Sequence, residues 1–429
     1  MSEYRGYNGR SLTFLKESKV KVGDSVKVTE DLTYTGIIMP RYEHIDDKHI
    51  VLKLRNGYNV GIEVDKIKKI ELIPTEKIEK KDLPQTKTDA SLPKVLLLST
   101  GGTIASKIDY RTGAVTPALS AKDLNATVPE LANLANIDAE VLFSEYSENI
   151  EPSHWKKLAE KLHSYAKSDY KGIVIAHGTD TMQYTASFLS FSLAGYPIPI
   201  ALVGSQRSSD RPSSDAALNL ISAVRFVVAT NTRGVFVIMH HNESDDLVVG
   251  HAGTRVRKNH TSKRSAFKTI GGNPAFLILE NKIENNLEKE FFKHKEYLAK
   301  LNVDSNVALV KYHPGFNPKI IDFLVESGYR AIIFEGTGLG HVGKTMYNVI
   351  KKANESGLFL GMTSQCIEGR IAMNVYESGR DLLELGIVPL SDMIPETALV
   401  KAMWALGNSE NMTQMKKLML ENIASEFSD

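Results

Sequence analysis

Two stretches decide how this chain is read: KVLLLSTGGTIAS, from Lys94 to Ser106, and KGIVIAHGTDTM, from Lys171 to Met182. Each opens with a short apolar run rich in β-branched residues, the pattern of a parallel strand buried on both faces. Each then breaks into glycine beside threonine, as Gly101-Gly102-Thr103 and as Gly178-Thr179-Asp180. In an open α/β sheet, ligands collect beyond the carboxyl ends of the parallel strands. Two hydroxyl-bearing loops at such ends predict one site made from both.

Outward from these loops, apolar strands alternate with helical spacings, which predicts a doubly wound α/β fold. Strands are expected at Val95–Leu98, Glu140–Phe143, Ile173–Ala176, Ile198–Val203 and Val235–Met239. A helix is expected over Ser153–Lys167 with Ser153 as its N-cap. Met182, Ala186, Leu189 and Leu193 recur at helical spacing, so Thr179 and Asp180 fall at a helix's amino end, where the dipole favours anions. A second α/β run starts near Asn306, with strands at Val307–Val310, Ala331–Phe334 and Leu358–Met362.

The residues up to Pro74 differ in style. They read as short strands at Ser25–Thr29, Thr35–Pro40, His49–Leu54 and Tyr58–Val64, with Asn56-Gly57 as a hairpin signal. We expect a small all-β SH3/Tudor-like barrel there, either a structural appendage or a docking module for a partner protein or RNA. Thr75–Lys94 is charged, holds two prolines and reads as a linker. The expected domains are therefore 1–74, 75–93, 94–295 and 296–429.

The chain has 429 residues, 42% hydrophobic and 24% charged, with a formal net charge of +1. That balance gives no overall field toward nucleic acid or a membrane. The single cysteine, Cys366, excludes an intramolecular disulfide and a cysteine-based zinc site. The sequence has no apolar run of membrane-spanning length, and a cytoplasmic location is expected.

A threonine hydroxyl is a weak nucleophile without a base or cation nearby. Taken alone, Thr100-Gly101-Gly102-Thr103 also fits a phosphate loop or a tight turn, and Gly178-Thr179-Asp180 also fits an N-cap. His240-His241 beside Asp245-Asp246 is read as strand-end polarity rather than a metal site. The basic run Thr254–Lys268 has the composition of a solvated loop.

The two stretches together narrow these options. LLSTGGTIA and GIVIAHGTDTM resemble, in order and separation, the two signature stretches of the asparaginase/glutaminase amidohydrolases. Ser144–Asn149 with His154-Trp155 resembles that family's substrate-carboxylate loop. Gly204–Arg207, running to Asp215 and Asn219, resembles its loop after the next strand, and Thr254–Lys268 resembles the stretch carrying its lysine. The match runs from Lys94 to the C-terminus and implies an asparaginase-like core of two α/β domains with parallel sheets. It implies hydrolysis of a side-chain amide through a threonine acyl-enzyme, with Thr103 as nucleophile and no metal. Thr179 falls on the second threonine, Asp180 on the ligand of the substrate's α-amino group, and Lys258 on the lysine completing the relay. Ser147 falls on the α-carboxylate ligand, followed by Glu148 where the family often has glutamine. Tyr110 falls in the lid, and Gly102 lets substrate approach the backbone. Of the basic run only Lys258 is expected in the chemistry; Arg255, Arg257, Lys263 and Arg264 are expected to be solvated.

A barrel and linker ahead of such a core resemble the amidase component of archaeal tRNA-dependent amidotransferases. Asp109–Val115 and Arg211–Asp215 share that resemblance. It implies that glutamine (or asparagine) is hydrolysed and that ammonia passes to a partner, the amidotransferase's E subunit. That partner uses ATP and Mg to activate and amidate Glu-tRNA(Gln), so this chain needs no cofactor of its own. A homodimeric core within a heterotetramer is implied, in which residues near Gly336–Gly340 complete a neighbour's site. Two other readings stay open: a stand-alone cytoplasmic L-asparaginase, and a non-catalytic RNA-binding adaptor on an asparaginase-like core.

Overall fold

Residues 3–41, 46–54, 59–73, 89–102, 106–109, 114–117, 128–207, 213–287 and 296–428 are described in a computed structural model of the chain. The N-terminal part is one short helix, α1 (Gly9–Glu17), and five strands: β1 (Ser25–Thr29), β2 (Thr33–Ile38), β3 (His49–Leu54), β4 (Asn59–Glu63) and β5 (Lys69–Leu72). All pair antiparallel in the order β4-β3-β2-β1-β5. Alternate residues Val26 and Val28, Ile50 and Leu52 turn inward onto Ile38, Ile62 and Leu15 of α1, the period of two that makes a strand half-buried. β1 and β3 have the expected bounds. The sequence pattern predicts neither α1 nor β5: α1 buries only Ser11 and Leu15, and β5 is four residues long with mostly exposed side chains. The Asn56-Gly57 turn, Pro74 and residues 75–88 of the expected linker (75–93) lie outside the described residues.

The central sheet contains β6 (Lys94–Gly101), β9 (Asn136–Glu145), β10 (Gly172–Ala176), β11 (Pro199–Val203), β12 (Gly234–His240), β13 (Val248–Ala252), β16 (Phe276–Ile278) and β17 (Ile283–Asn285). Its order is β17-β16-β13-β12-β11-β10-β6-β9. Two hairpins stand apart from it: β7 (Ser106–Asp109) with β8 (Ala114–Pro117), and β14 (Val256–Lys258) with β15 (Phe267–Thr269). From β9 to β12 every pairing is parallel. From β12 to β17 every pairing is antiparallel, so this sheet is mixed rather than parallel as expected. The connections decide this: the short 241–247 link between β12 and β13 suits an antiparallel return, whereas parallel neighbours need a crossover of a dozen residues or more.

The crossovers are α2 (Pro152–Ser164), α3 (Met182–Ser192) and α4 (Ala216–Ala229). Leu96, Leu98, Ile173, Ile175, Ile200 and Leu202 face α2 and α3, while Val95, Leu97, Val174, Ala176, Ala201 and Val203 face α4. A strand covered by helices on both faces must be apolar at every position, which is why these runs do not alternate. α2 begins at Pro152, so its N-cap is Glu151 and not Ser153. Pro at the first helical position has the right φ and no N–H to satisfy, and the Glu151 N–H donates to His154 Nδ1 at 3.1 Å.

A second, fully parallel sheet holds β18 (Val307–Lys311), β19 (Ala331–Gly336), β20 (Phe359–Ser364) and β21 (Val388–Pro389). α5 (Lys319–Glu326), α6 (Tyr347–Glu355) and α7 (Glu377–Glu384) lie along this second run; α8 (Pro395–Gly407) and α9 (Met412–Leu420) end it. Ile332, Phe334, Leu360 and Met362 pack toward α5, α6 and α7. The opposite face, with Ala331, Ile333 and Phe359, joins the core of the larger sheet through α8. α8 is therefore buried nearly all round, including the polar Glu396, Thr397 and Lys401. Trp404 packs against Phe191 of α3 with centroids 5.7 Å apart and the rings tilted by 31°, and its indole N–H donates to Lys300 O at 2.8 Å. The two α/β parts share one core at this helix.

Candidate active site

The parallel ladder aligns Leu98 with Ile175 and Ser99 with Ala176, which brings the loops after β6 and β10 side by side. Thr100, fully buried, donates its hydroxyl to Ala176 O at 3.0 Å and ties the two strand ends. Glycine is required where they meet. Gly102 has φ +79°, and a Cβ built there would lie 2.8 Å from Gly178 N. A Cβ on Gly178 would in turn lie 2.8 Å from the Ser147 Cβ. Gly101, at φ +118°, packs more closely still on the Glu145 backbone, a Cβ there falling 2.2 Å from Glu145 O, where the β6–β9 register shifts. Backbone thus passes within contact distance of its neighbours at three adjacent points.

Ser147 follows β9 and is buried. Its Oγ accepts from the Asp180 N–H at 3.3 Å, and its carbonyl accepts from the Thr181 hydroxyl at 2.6 Å. Glu148, next to it, is exposed. α3 starts at Met182 with Thr181 as N-cap, so Thr179 and Asp180 stand just ahead of the helix. Their side chains meet a residue 78–79 positions away: Lys258 Nζ donates to Thr179 Oγ1 at 2.8 Å and to Asp180 Oδ1 at 2.7 Å. The Lys258 side chain is 9% exposed and that of Asp180 64%, so the cation is sheltered while the carboxylate opens to solvent. Among the predicted site residues, Gly102, Ser147, Thr179, Asp180 and Lys258 converge, with Glu148 adjacent to Ser147. Thr103 and Tyr110 lie outside the described residues.

The loop is supported from behind by His177. Its Nε2 is 2.9 Å from Thr185 Oγ1 and its Nδ1 is 2.6 Å from Gly178 O. Full burial, opposed only by the Gly178 carbonyl, pushes its pKa down to about 4, so the ring is neutral at ordinary pH. A second support lies behind Gly204–Arg207. Asp215 accepts from the Gln206 and Arg207 N–H groups, and Asn219 donates to Gly204 O at 3.0 Å and to Asp215 Oδ2 at 2.9 Å. Buried His240 closes the network on Asn219 Oδ1 at 2.6 Å. His240 is thus a buried structural partner; among the described residues no group of three or more His, Cys, Asp or Glu side chains is placed to hold a metal ion. His177 is not among the expected site residues, although a lone histidine between a buried strand and Gly-Thr-Asp is a signal in the sequence.

The basic run departs from expectation. Arg255 is buried and pairs with Asp392 at 3.0 Å, Arg257 pairs with Glu396 at 3.2 Å, and the Arg264 side chain, 11% exposed, pairs with Asp245. Only Lys263 is solvated as expected. Arg255 and Arg257 have partners because residues 390–397 fold over this run, a contact invisible in local composition.

Comparison with known proteins defines a class first. The family model described as "Asparaginase, N-terminal" matches residues 94–291, and "Glutaminase/Asparaginase C-terminal domain" matches residues 306–419. A solved structure titled "The thermostable L-asparaginase from Thermococcus kodakarensis" aligns with a TM-score of 0.71 at 31% identity, over 78% of this chain and 99% of that one. The strands ahead of that core also match: residues 20–73 fit the GatD N-terminal domain. A Pyrococcus abyssi protein, named as the D subunit of glutamyl-tRNA(Gln) amidotransferase, is 46% identical over 427 residues, 96% of each chain. One of the same name from Metallosphaera sedula is 45% identical over 98% of this chain and 96% of its own length. The chain belongs to the family of glutamyl-tRNA(Gln) amidotransferase D subunits, with an asparaginase-type core.

Proposed function

We propose that this chain is the amidase component of a tRNA-dependent amidotransferase: it hydrolyses the side-chain amide of glutamine (or asparagine) and supplies ammonia to the E subunit, which converts Glu-tRNA(Gln) to Gln-tRNA(Gln). The observation that carries the chemistry is the contact of sheltered Lys258 with both Thr179 Oγ1 and Asp180 Oδ1. In this reading Thr103 attacks the carboxamide carbon, the Lys258–Thr179 pair relays its hydroxyl proton to the departing nitrogen, and the C–N bond breaks to release ammonia. Water then attacks the acyl carbon, the same pair relays one of its protons to the Thr103 oxygen as the ester bond breaks, and the acid leaves. Asp180 holds the α-amino group, Ser147 holds the α-carboxylate, Glu148 lines the substrate beside Ser147, Gly102 admits the substrate to the backbone, and Tyr110 closes over it.

The N-terminal strands are read as an SH3/Tudor-like barrel that docks onto the partner or its RNA. They belong to a domain spanning 1–74, followed by a linker (75–93) and α/β domains at 94–295 and 296–429. The assembly is a homodimeric core within a heterotetramer in the cytoplasm. ATP and Mg act through the E subunit, and this chain carries no cofactor. The near-neutral charge of +1 supports leaving most tRNA contact to that partner. Among the described residues, no helix is long and apolar enough to cross a membrane.

The test is ammonia release from glutamine with and without the E subunit and Glu-tRNA(Gln). Turnover is expected to rise when both are present. Strong partner-independent turnover, unchanged by tRNA, is the outcome that removes the amidotransferase reading in favour of a stand-alone amidase.

A further inference from the structure

We infer that a clamp from the second α/β part, made by Asp392, Glu396, Thr397 and the segment Ile423–Ser428, sets the position of Lys258, and that Arg255 is the positioning residue through which it acts. The inference rests on the reading of Lys258 as the base in the reaction.

Lys258 ends a three-residue strand, β14, that pairs only with the equally short β15 and is not part of the large sheet. The ladder gains only the Ile270 N–H to Arg255 O bond at 2.8 Å and the Asn259 N–H to Ala266 O bond at 2.7 Å at its ends, and a two-stranded ribbon this short does not by itself fix a long side chain to the tolerance that catalysis needs. The fixing comes from the residues just ahead of it. The Gly253 carbonyl accepts from Ser187 Oγ at 3.1 Å, and Ser187 is joined to Thr397 Oγ1 at 3.0 Å. Thr397 donates to Thr254 O at 2.8 Å, and the Thr254 hydroxyl donates to Ala424 O at 2.8 Å. Arg255 spreads its guanidinium over three groups: Nε to Ser425 O at 3.0 Å, one terminal nitrogen to Asp392 Oδ2 at 3.0 Å, and the other to Ser428 Oγ at 3.1 Å. Its planar fork suits this three-way contact in a way that lysine's point charge does not. Arg257 adds the pair with Glu396.

The clamp is itself anchored. Glu426 is fully buried, accepts the N–H groups of Ile423 at 3.0 Å and Ala424 at 2.6 Å, and pairs with Lys401 of α8. Asp392 accepts the Ser428 N–H at 3.0 Å. Every residue from Gly253 to Arg257 except Val256, a core side chain, is therefore gripped by polar groups, most of them from residues 392–428. Nothing about local folding requires a segment more than 130 positions later to hold this strand, whereas a base that must stand within hydrogen-bonding distance of Thr179 does.

The test compares Arg255→Lys, Arg255→Ala, Thr254→Val and Lys258→Met in the full chain, measuring amide hydrolysis per folded molecule, kcat and KM separately, and the pH–rate profile. Loosening the clamp is expected to lower kcat by about ten- to a hundredfold with KM little changed, because a displacement on the order of 1 Å costs that much. The pH–rate profile should shift with it, and Arg255→Lys should recover only part of the loss. If Lys258→Met is inactive while the Arg255 and Thr254 variants lose thermal stability only, with wild-type kcat and pH profile per folded molecule, the clamp is structural and the inference is overturned. If Lys258→Met itself stays active, the base assignment fails first, and the two failures are told apart.

Discussion

Replacing Lys258 with methionine separates catalysis from stability more cleanly than any other change at this site. The side chain is 9% exposed, so its stem packs as methionine's would, while Nζ reaches Thr179 Oγ1 at 2.8 Å and Asp180 Oδ1 at 2.7 Å. Methionine keeps most of the buried carbon and removes both donors. The partner left behind, Asp180, is 64% exposed and is rehydrated by water. The loss of folding stability should therefore stay near the exposed-pair range, about 1 kcal/mol or less. The barrier to amide hydrolysis should rise far more. A positioned acid–base group contributes about 10²–10⁴-fold, which at about 1.4 kcal/mol per tenfold is roughly 3–5 kcal/mol. The assay is steady-state ammonia release from glutamine, giving kcat and KM, beside urea unfolding of the same preparation. A fall in kcat of at least about a hundredfold with little change in KM or in unfolding midpoint is expected. A raised KM with kcat intact would make Lys258 a binding residue, and a collapse of stability would make its contacts structural; either result refutes the reasoning.

Three further outcomes are expected. Gly102→Ala places a Cβ 2.8 Å from Gly178 N at φ +79°; the loops must part, so kcat should drop by about a hundredfold, measured with circular dichroism to show the fold intact, and wild-type kinetics would contradict the close approach. Thr103→Val exchanges a hydroxyl for a methyl and should abolish hydrolysis while leaving the unfolding curve in place; retained activity removes the nucleophile assignment. For His177 the folded pKa is depressed from 6.5 to about 4, so the unfolded chain binds more protons between those values. Stability should accordingly be complete above pH 6.5 and decline as pH falls toward 4, by about 3 kcal/mol in all. Urea unfolding across that window checks it, and a His177→Gln variant with an equally steep decline would show that another group is responsible.

Much of the core was legible because burial on both faces leaves a local mark. β10 and β11 are apolar along their whole length and fall within a residue of their expected bounds. The helix after Thr179 was equally plain, since Met182, Ala186 and Leu189 are all fully buried. α1 and β5 left no comparable mark because few of their side chains are buried. The antiparallel half of the large sheet was missed for another reason: three-residue strands such as β16 and β17 are too short to show a period. At the site, the glycines and threonines of the two loops were readable, but His177 needed its partner Thr185 to show what it does.

The sequence by itself determined the two strand ends, their glycine-threonine loops and the resemblance they carry, because each is a property of a dozen neighbouring residues. It also singled out Lys258, though only by that resemblance. Tertiary structure alone decided that Lys258 reaches Thr179 and Asp180, and that Arg255 and Arg257 are held by Asp392 and Glu396 rather than left in water. Composition weighs a basic run against solvent, its usual surroundings; whether solvent is there depends on residues more than a hundred positions away that fold back over it.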